Sequence, residues 1–157
     1  MGATAGIALR AVQFFIRGIQ FCCAAIVLAL FAYFLATLHD HNMHIATWVK
    51  AVTGISGIAV IYTILALLML CCCAGRSFPS FILMVLDLAF AGAFIYIAVA
   101  NRDGASSCSG EVNTVFGNGN ADTNVRDNGS GGFTALPSLR QACQMETACL
   151  AVSIVAV

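Results

Sequence analysis

The densest group of potential metal ligands in the sequence is a short polar stretch between two apolar segments. It reads His39-Asp40-His41-Asn42-Met43-His44. Imidazole and thioether groups are suitable ligands for copper or zinc, but the histidines lack the regular spacing that supports a zinc site. We therefore expect an exposed connection between two helices. A metal-dependent enzyme at these histidines is the weaker alternative.

Other patterns associated with catalysis or ligand binding are incomplete. Asp122 and Asn124 resemble the start of a calcium-binding loop, but Arg126 and Asp127 follow where an oxygen ligand and then glycine are needed. The glycine-rich stretches follow no predicted strand and open no predicted helix, so phosphate binding is not indicated. The sequence offers no arrangement of a nucleophile and a general base that would support nucleophilic catalysis. We expect no catalytic site, no cofactor and no bound metal.

Two acidic residues lie within apolar stretches, where a charge costs about 2.5 to 3.5 kcal/mol if it faces lipid. For Asp87 the reachable polar partners are Arg17 and Gln20, one helical turn apart near the end of another apolar stretch. Glu146 shares a helix face with small residues, which predicts that it points towards protein, near the opposite membrane surface. We expect a structural ion pair at Asp87. The alternatives are its use in proton transfer or cation passage, and a contact with a partner subunit.

The overall composition is that of an integral membrane protein. The 157 residues are 61 % hydrophobic and 9 % charged, with a mean hydropathy of +0.93. Soluble domains contain about 25 % charged residues. The seven basic and seven acidic residues cancel, so the composition argues against nucleic-acid binding, and its hydrophobicity argues against a large soluble catalytic domain.

The apolar stretches predict an all-α membrane protein, a left-handed bundle of four transmembrane helices, because crossing a bilayer takes about 20 apolar residues. A capping box of Ser138 and Gln141 marks the start of the fourth helix. Its apolar part is too short to cross, which predicts that the polypeptide continues past Val157. The composition of the long loop predicts mobility. We predict a cytosolic N-terminal segment at residues 1–17, followed by a membrane domain at residues 18–157. The predicted spans of that domain are at about 18–38, 51–73, 81–100 and 139–157, and the loop covers residues 101–138.

The orientation rests on a glycosylation sequon, because the basic residues are divided too evenly to decide it. The sequon, Asn128-Gly129-Ser130, lies in the long loop together with most of the acidic residues. Since glycosylation occurs only in the lumen of the secretory pathway, we expect both termini in the cytosol and a sugar on Asn128. The predicted location is the plasma membrane or a membrane of the secretory pathway.

The eight cysteines divide by predicted compartment. Cys71, Cys72 and Cys73 end the second span on the cytosolic side, a setting in which thiols are S-acylated, although small apolar packing residues are the alternative. Cys108 and Cys143 both fall on the oxidising side, at the ends of adjacent helices. We predict a disulfide between them, the alternative being two free thiols.

Small residues recur at steps of three and four in three of the predicted helices, the spacing of close helix contact in membranes. In the first helix this stripe has the period of a left-handed bundle seam. We therefore predict that these faces point into the bundle. They are Gly18, Cys22, Ala25, Ala29, Ala32 and Ala36; Ser56, Ala59, Thr63 and Ala66; and Ala142, Glu146, Cys149, Ser153 and Ala156.

Several short strings, together with the layout of four spans and a long second outer loop, resemble a MARVEL-domain protein of the fungal type. The similarity would cover essentially the whole chain. The strings are Ala8-Leu9-Arg10-Ala11-Val12-Gln13-Phe14, Asp87 in the third helix, Asn101-Arg102-Asp103-Gly104 followed by Cys108-Ser109-Gly110, and Leu139-Arg140-Gln141-Ala142-Cys143 with Thr147-Ala148.

The resemblance implies a non-enzymatic membrane organiser or accessory subunit. Proteins of this type associate with membrane lipids in sterol- and sphingolipid-rich domains, cluster laterally and take part in trafficking or membrane apposition. We accordingly expect a homo-oligomer or a subunit of a larger membrane complex, with no nucleic-acid partner. The alternative function is a small oligomeric channel or proton-coupled transporter that uses Asp87.

Overall fold

A computed structural model describes residues 2–72, 77–105, 107–125 and 135–157, with side chains at 6–69, 81–103, 107–125 and 135–157. This part of the chain contains four α-helices. Three of them include segments long and apolar enough to cross a membrane, at Gly6–Asp40, Thr47–Met69 and Phe81–Ala100. The fourth helix is shorter and more polar and is not among these candidate spans. The helices are α1 (Gly2–Asp40), α2 (Thr47–Cys72), α3 (Ser77–Ala100) and α4 (Leu139–Ala156).

The first helix is much longer than the predicted span of 18–38. Its 39 residues reach about 58 Å at 1.5 Å per residue, well beyond the thickness of a hydrocarbon core. No proline interrupts residues 2–40, so the segment before the predicted span continues the same helix. At the other end, Asn42 takes a positive φ of 50° and the amide of Met43 donates to the carbonyl of Leu38 at 2.9 Å. This left-handed residue ends α1.

The long connection before α4 is partly ordered, so the expectation of a mobile loop is wrong for that part. A short 3-10 helix, η1, covers Arg102–Ala105, and two antiparallel strands follow, β1 (Glu111–Thr114) and β2 (Gly117–Asn120). Val115 and Phe116 form the turn between them. Gly117 has a φ of +117°, a backbone conformation that glycine adopts without strain just after a hairpin turn.

The hairpin β1–β2 packs against the start of α4, which explains how a glycine- and asparagine-rich segment becomes ordered. A Cβ atom added to Gly119 would lie 2.8 Å from Cδ1 of Leu139, so a larger residue would require the Leu139 side chain to move. A small apolar core lies beneath the hairpin and supplies the burial that the segment's composition lacks. Its buried members are Val112, Ala121, Val125, Leu139 and Cys143.

The start of α4 is fully capped, as the sequence predicts. The hydroxyl of Ser138 accepts from the amide of Gln141 at 3.3 Å, and the Gln141 side chain accepts from the amide of Ser138 at 3.2 Å. The next two free amides, of Leu139 and Arg140, donate to the carbonyls of Thr123 and Ala121 at 3.2 and 3.1 Å. The segment after the hairpin therefore holds the helix N-terminus.

The predicted inward faces of α2 and α4 are buried. Around them α1 packs against α2, and α4 contacts both α1 and α3, whereas α2 and α3 touch only sparsely. Small residues on α2 and α4 thus lie where helices meet. The buried set comprises Ser56, Ala59, Thr63 and Ala66 on α2, and Ala142, Glu146, Cys149, Ser153 and Ala156 on α4.

The prediction that the small residues of α1 face inward is wrong, because most of them are exposed. Gly18 and Ala25 are half-buried, whereas Cys22, Ala29, Ala32 and Ala36 lie outside. The buried face of α1 is instead formed by larger side chains. Phe31 and Phe34 are fully buried and meet the rings of Trp48 and Phe116 edge-on. Each aromatic side chain buries far more area than an alanine, so the aromatic face of α1 takes the interior. We call the exposed stripe of α1 the alanine face; it consists of Cys22, Ala29, Ala32 and Ala36.

Candidate functional site

The carboxylate of Asp87, within the candidate span Phe81–Ala100, is held by the two residues considered for it in the sequence. The guanidinium of Arg17 donates to both oxygens of Asp87 and also to the side-chain oxygen of Gln20, the latter at 3.2 Å. A bidentate pair of this kind is the strongest geometry for an arginine and a carboxylate. Arg17 on α1 and Asp87 on α3 therefore form a neutral unit within the apolar surroundings.

A third helix contributes Tyr62, which the sequence analysis missed. Its hydroxyl lies 2.8 Å from Oδ1 of Asp87 and 3.2 Å from the carbonyl of Leu83, so it can donate to either acceptor. The guanidinium of Arg17 lies 5.6 Å from the centre of the Tyr62 ring, within reach of a cation–π contact. The ring also stacks on Phe90 at 4.5 Å. A tyrosine hydroxyl within an apolar helix needs a polar partner, and this was the available signal.

These residues, Arg17, Gln20, Tyr62 and Asp87, form what we call the Asp87 cluster. It connects α1, α2 and α3, and α1 and α3 have little other direct contact. The Arg17 side chain is 12 % exposed and the Asp87 side chain 35 % exposed. With both carboxylate oxygens occupied, the arrangement is suited to holding helices together in an apolar medium.

The second acidic residue, Glu146, occupies a separate site on the side of the bundle that carries the hairpin. It is buried, and Oε1 accepts from the backbone amide of Val115 at 2.7 Å. That amide belongs to the hairpin turn and takes no part in the strand pairing. The carboxylate thus fixes the turn to α4. Because no hairpin was predicted, this partner could not be found from the sequence.

A disulfide fixes the other end of the same region. Cys108 and Cys143, the pair singled out in the sequence, are bonded, with Cα atoms 5.7 Å apart and a sequence separation of 35. Cys143 lies in the first turns of α4, buried under the hairpin, and Cys149 on the same helix is a free, buried thiol. The covalent bond and the Glu146 contact together fasten the segment before the hairpin and its turn to α4.

The predicted glycosylation site lies outside the described residues, and the predicted S-acylation site lies partly outside them. Asn128 and Cys73 lie outside them, whereas Cys71 and Cys72 end α2 but are described only as backbone. Glycosylation and S-acylation therefore stay predictions.

The histidine-rich stretch is divided between a helix end and a turn. His39 and Asp40 belong to the last turn of α1, His41 is buried at 3 % exposure and His44 is exposed. Within the described part of the chain, no three His, Cys, Asp or Glu side chains are placed to hold a metal ion. The stretch is thus only partly the exposed connection that we expected.

In comparisons with known proteins, no protein-family model, curated protein or solved structure matches the chain. The resemblance to MARVEL-domain proteins therefore stays a prediction that rests on the short strings quoted above. Any functional conclusion depends on the geometry of this chain.

Proposed function

We propose that this protein is a non-enzymatic membrane organiser or accessory subunit that acts through lateral packing of its helices and association with lipid domains. The three apolar candidate spans are compatible with an integral membrane protein. The resemblance to MARVEL-domain proteins supports the sterol- or sphingolipid-rich lipid environment and the scaffolding or trafficking role. The sequon supports the cytosolic location of the termini. Lateral packing is supported by the surface of the bundle.

The observation that carries the proposal is a difference between the outer faces of the helices. On α2 and α3 the exposed face consists largely of isoleucine, leucine, valine and methionine, including Ile58, Ile61 and Leu88. In the part of α1 that follows Ile26, the outer face has no exposed large apolar residue and consists mainly of alanines. Large side chains suit contact with lipid tails, whereas small residues let another helix backbone approach closely. The alanine face is therefore the surface on which we place a further transmembrane helix.

The Asp87 cluster supports this function over the alternative of a channel or proton-coupled transporter. A carboxylate that carries protons or cations must release its partners and meet water. Asp87 instead accepts from Arg17 and lies within hydrogen-bonding distance of Tyr62. We accordingly propose that Asp87 stabilises the bundle.

Replacing alanines of this face by leucine tests the proposal. We expect Ala32→Leu and Ala36→Leu to weaken association in membranes at least tenfold, because the added side chains keep the facing backbone at a distance. The measurement is single-molecule photobleaching of labelled protein in lipid vesicles as its surface density is varied. The control is Ala89→Leu, the same substitution at an exposed position of α3.

Three results would contradict the proposal. One is association that is unchanged by the α1 substitutions. Another is a protein that is monomeric at every density and co-purifies with no other membrane protein. The third is ion or proton flux through vesicles that hold the purified protein, with loss of that flux in Asp87→Asn, and this result would support the channel or transporter.

A further inference from the structure

An open cavity of about 850 Å³ lies on the hairpin side of the bundle. Its walls come from the end of α1, the start of α2, the end of α3 and the hairpin turn, with Leu38, Trp48 and Val99 among the lining residues. Because the three candidate spans begin or end at this level, the cavity lies where the hydrocarbon core meets the polar headgroups. It is distinct from the Asp87 cluster.

The apolar part of the cavity is rich in aromatic residues and opens on the outer side of α3. Trp48, Tyr96 and Phe116 contribute rings to its lining. Tryptophan and tyrosine prefer the headgroup level of a membrane, where one end of the side chain is apolar and the other polar. Tyr96 and Val99 are 45 % and 58 % exposed on the outer side of α3. A molecule in the cavity can therefore extend apolar chains along that helix.

The polar part of the cavity carries both signs of charge. Arg102 and Asp103 are adjacent, exposed residues of η1, and both line it. The side-chain amide of Asn113 donates to Asp103 at 3.4 Å, which links that carboxylate to the hairpin. Glu146 adds a second, buried carboxyl group to the lining. A guanidinium suits a phosphate, and carboxylates with aromatic rings suit a quaternary ammonium group.

We propose that this cavity binds one zwitterionic phospholipid with a choline headgroup, its phosphate on Arg102 and its ammonium group towards Asp103 and the aromatic rings. This inference rests on the membrane location in the proposed function. A sterol offers a single hydroxyl and no charged group to match the guanidinium of Arg102 and the carboxylate of Asp103. An anionic phospholipid would bring its additional negative charge close to Asp103 and Glu146.

The test uses Trp48, the single tryptophan of the chain, as a reporter inside the cavity. The full chain is held in a mild maltoside detergent and titrated with phosphatidylcholine that carries a spin label on its headgroup. We expect saturable quenching of Trp48 fluorescence. Unlabelled phosphatidylcholine should reverse it at lower concentration than phosphatidylglycerol, and water-soluble glycerophosphocholine should not reverse it at the same concentration.

Matched variants separate a specific site from general lipid contact. Arg102→Gln should weaken binding roughly tenfold, as expected from losing one charge-assisted hydrogen bond to phosphate. The control, Arg140→Gln, removes an arginine that lies outside the cavity and pairs with Asp122 at 2.6 Å; it should bind as the unmodified chain does. Circular dichroism confirms that each variant is folded.

Four outcomes would overturn the inference. They are quenching that rises linearly without saturation, equal competition by the two phospholipids, full reversal by glycerophosphocholine, and an unchanged affinity in folded Arg102→Gln. The result is independent of the association measurement, because lipid binding is followed in isolated protein. Loss of association with intact lipid binding would contradict only the proposed function, and the reverse would contradict only this inference.

Discussion

Replacing Arg17 by alanine is expected to lower the free energy of unfolding by about 3 kcal/mol, the lower end of the range for buried ion pairs. The pair is partly buried, and removing one partner leaves the other charge uncompensated. In the single variant, Asp87 keeps the hydroxyl of Tyr62 as its side-chain donor among the described residues. The measurement is denaturant unfolding in micelles, followed by Trp48 fluorescence.

A double variant tests whether this effect belongs to the pair. Arg17→Leu with Asp87→Leu removes both charges together, and replacing a whole ion pair by apolar residues is often neutral or stabilising. We therefore expect the double variant to be more stable than Arg17→Ala. The control, Arg10→Ala, changes an exposed arginine on the same helix and should have little effect. A double variant as unstable as the single one would show that the pair does not account for the loss.

Replacing Cys108 and Cys143 together by serine is expected to cost about 4 kcal/mol, the value that the chain-entropy model gives for a loop of 35 residues. Without the bond, the start of the long connection is free to separate from α4. The contact of Val115 with Glu146 should then open more often. Denaturant unfolding measures the stability, and hydrogen exchange at the Val115 amide measures the local opening.

The matched control for the disulfide is Cys22→Ser, which alters a free, exposed thiol. It should unfold like the unmodified chain, and a reducing agent should shift the unmodified chain towards the double serine variant while leaving that variant unchanged. Equal stability of the serine pair and the unmodified chain would contradict the structural role of the bond.

The sequence predicted the interactions that follow from strong local constraints. A charge within an apolar stretch must find a partner, and the spacing of Arg17 and Gln20 left few choices for Asp87. The capping box at Ser138 depends on residues only three positions apart, so it too could be read directly. In both cases the cost of an unsatisfied polar group leaves little freedom.

Other features depend on tertiary contacts that no local pattern encodes. The strand Gly117–Asn120 has the composition of a loop, and it is ordered because Gly119 lets it lie against Leu139. On α1, the aromatic and the alanine faces are both apolar, so periodicity alone could not tell which one points inward. The size of Phe31 and Phe34 decided the matter. Tyr62, whose hydroxyl lies 2.8 Å from Asp87, was missed because a neutral hydroxyl demands a partner less strongly than a charge does.

The most direct test of the central claim is the membrane side on which single cysteines are labelled. We place Asn42, after α1, and Asn118, in the hairpin, on one face of the membrane, and Arg10 on the other. Each is exposed and can be changed to cysteine in a chain whose free cysteines are replaced. A membrane-impermeant maleimide added to sealed vesicles should react with Asn42→Cys and Asn118→Cys from the same side, and with Arg10→Cys only from the opposite side. Reaction of Asn42→Cys and Asn118→Cys from opposite sides would contradict the account.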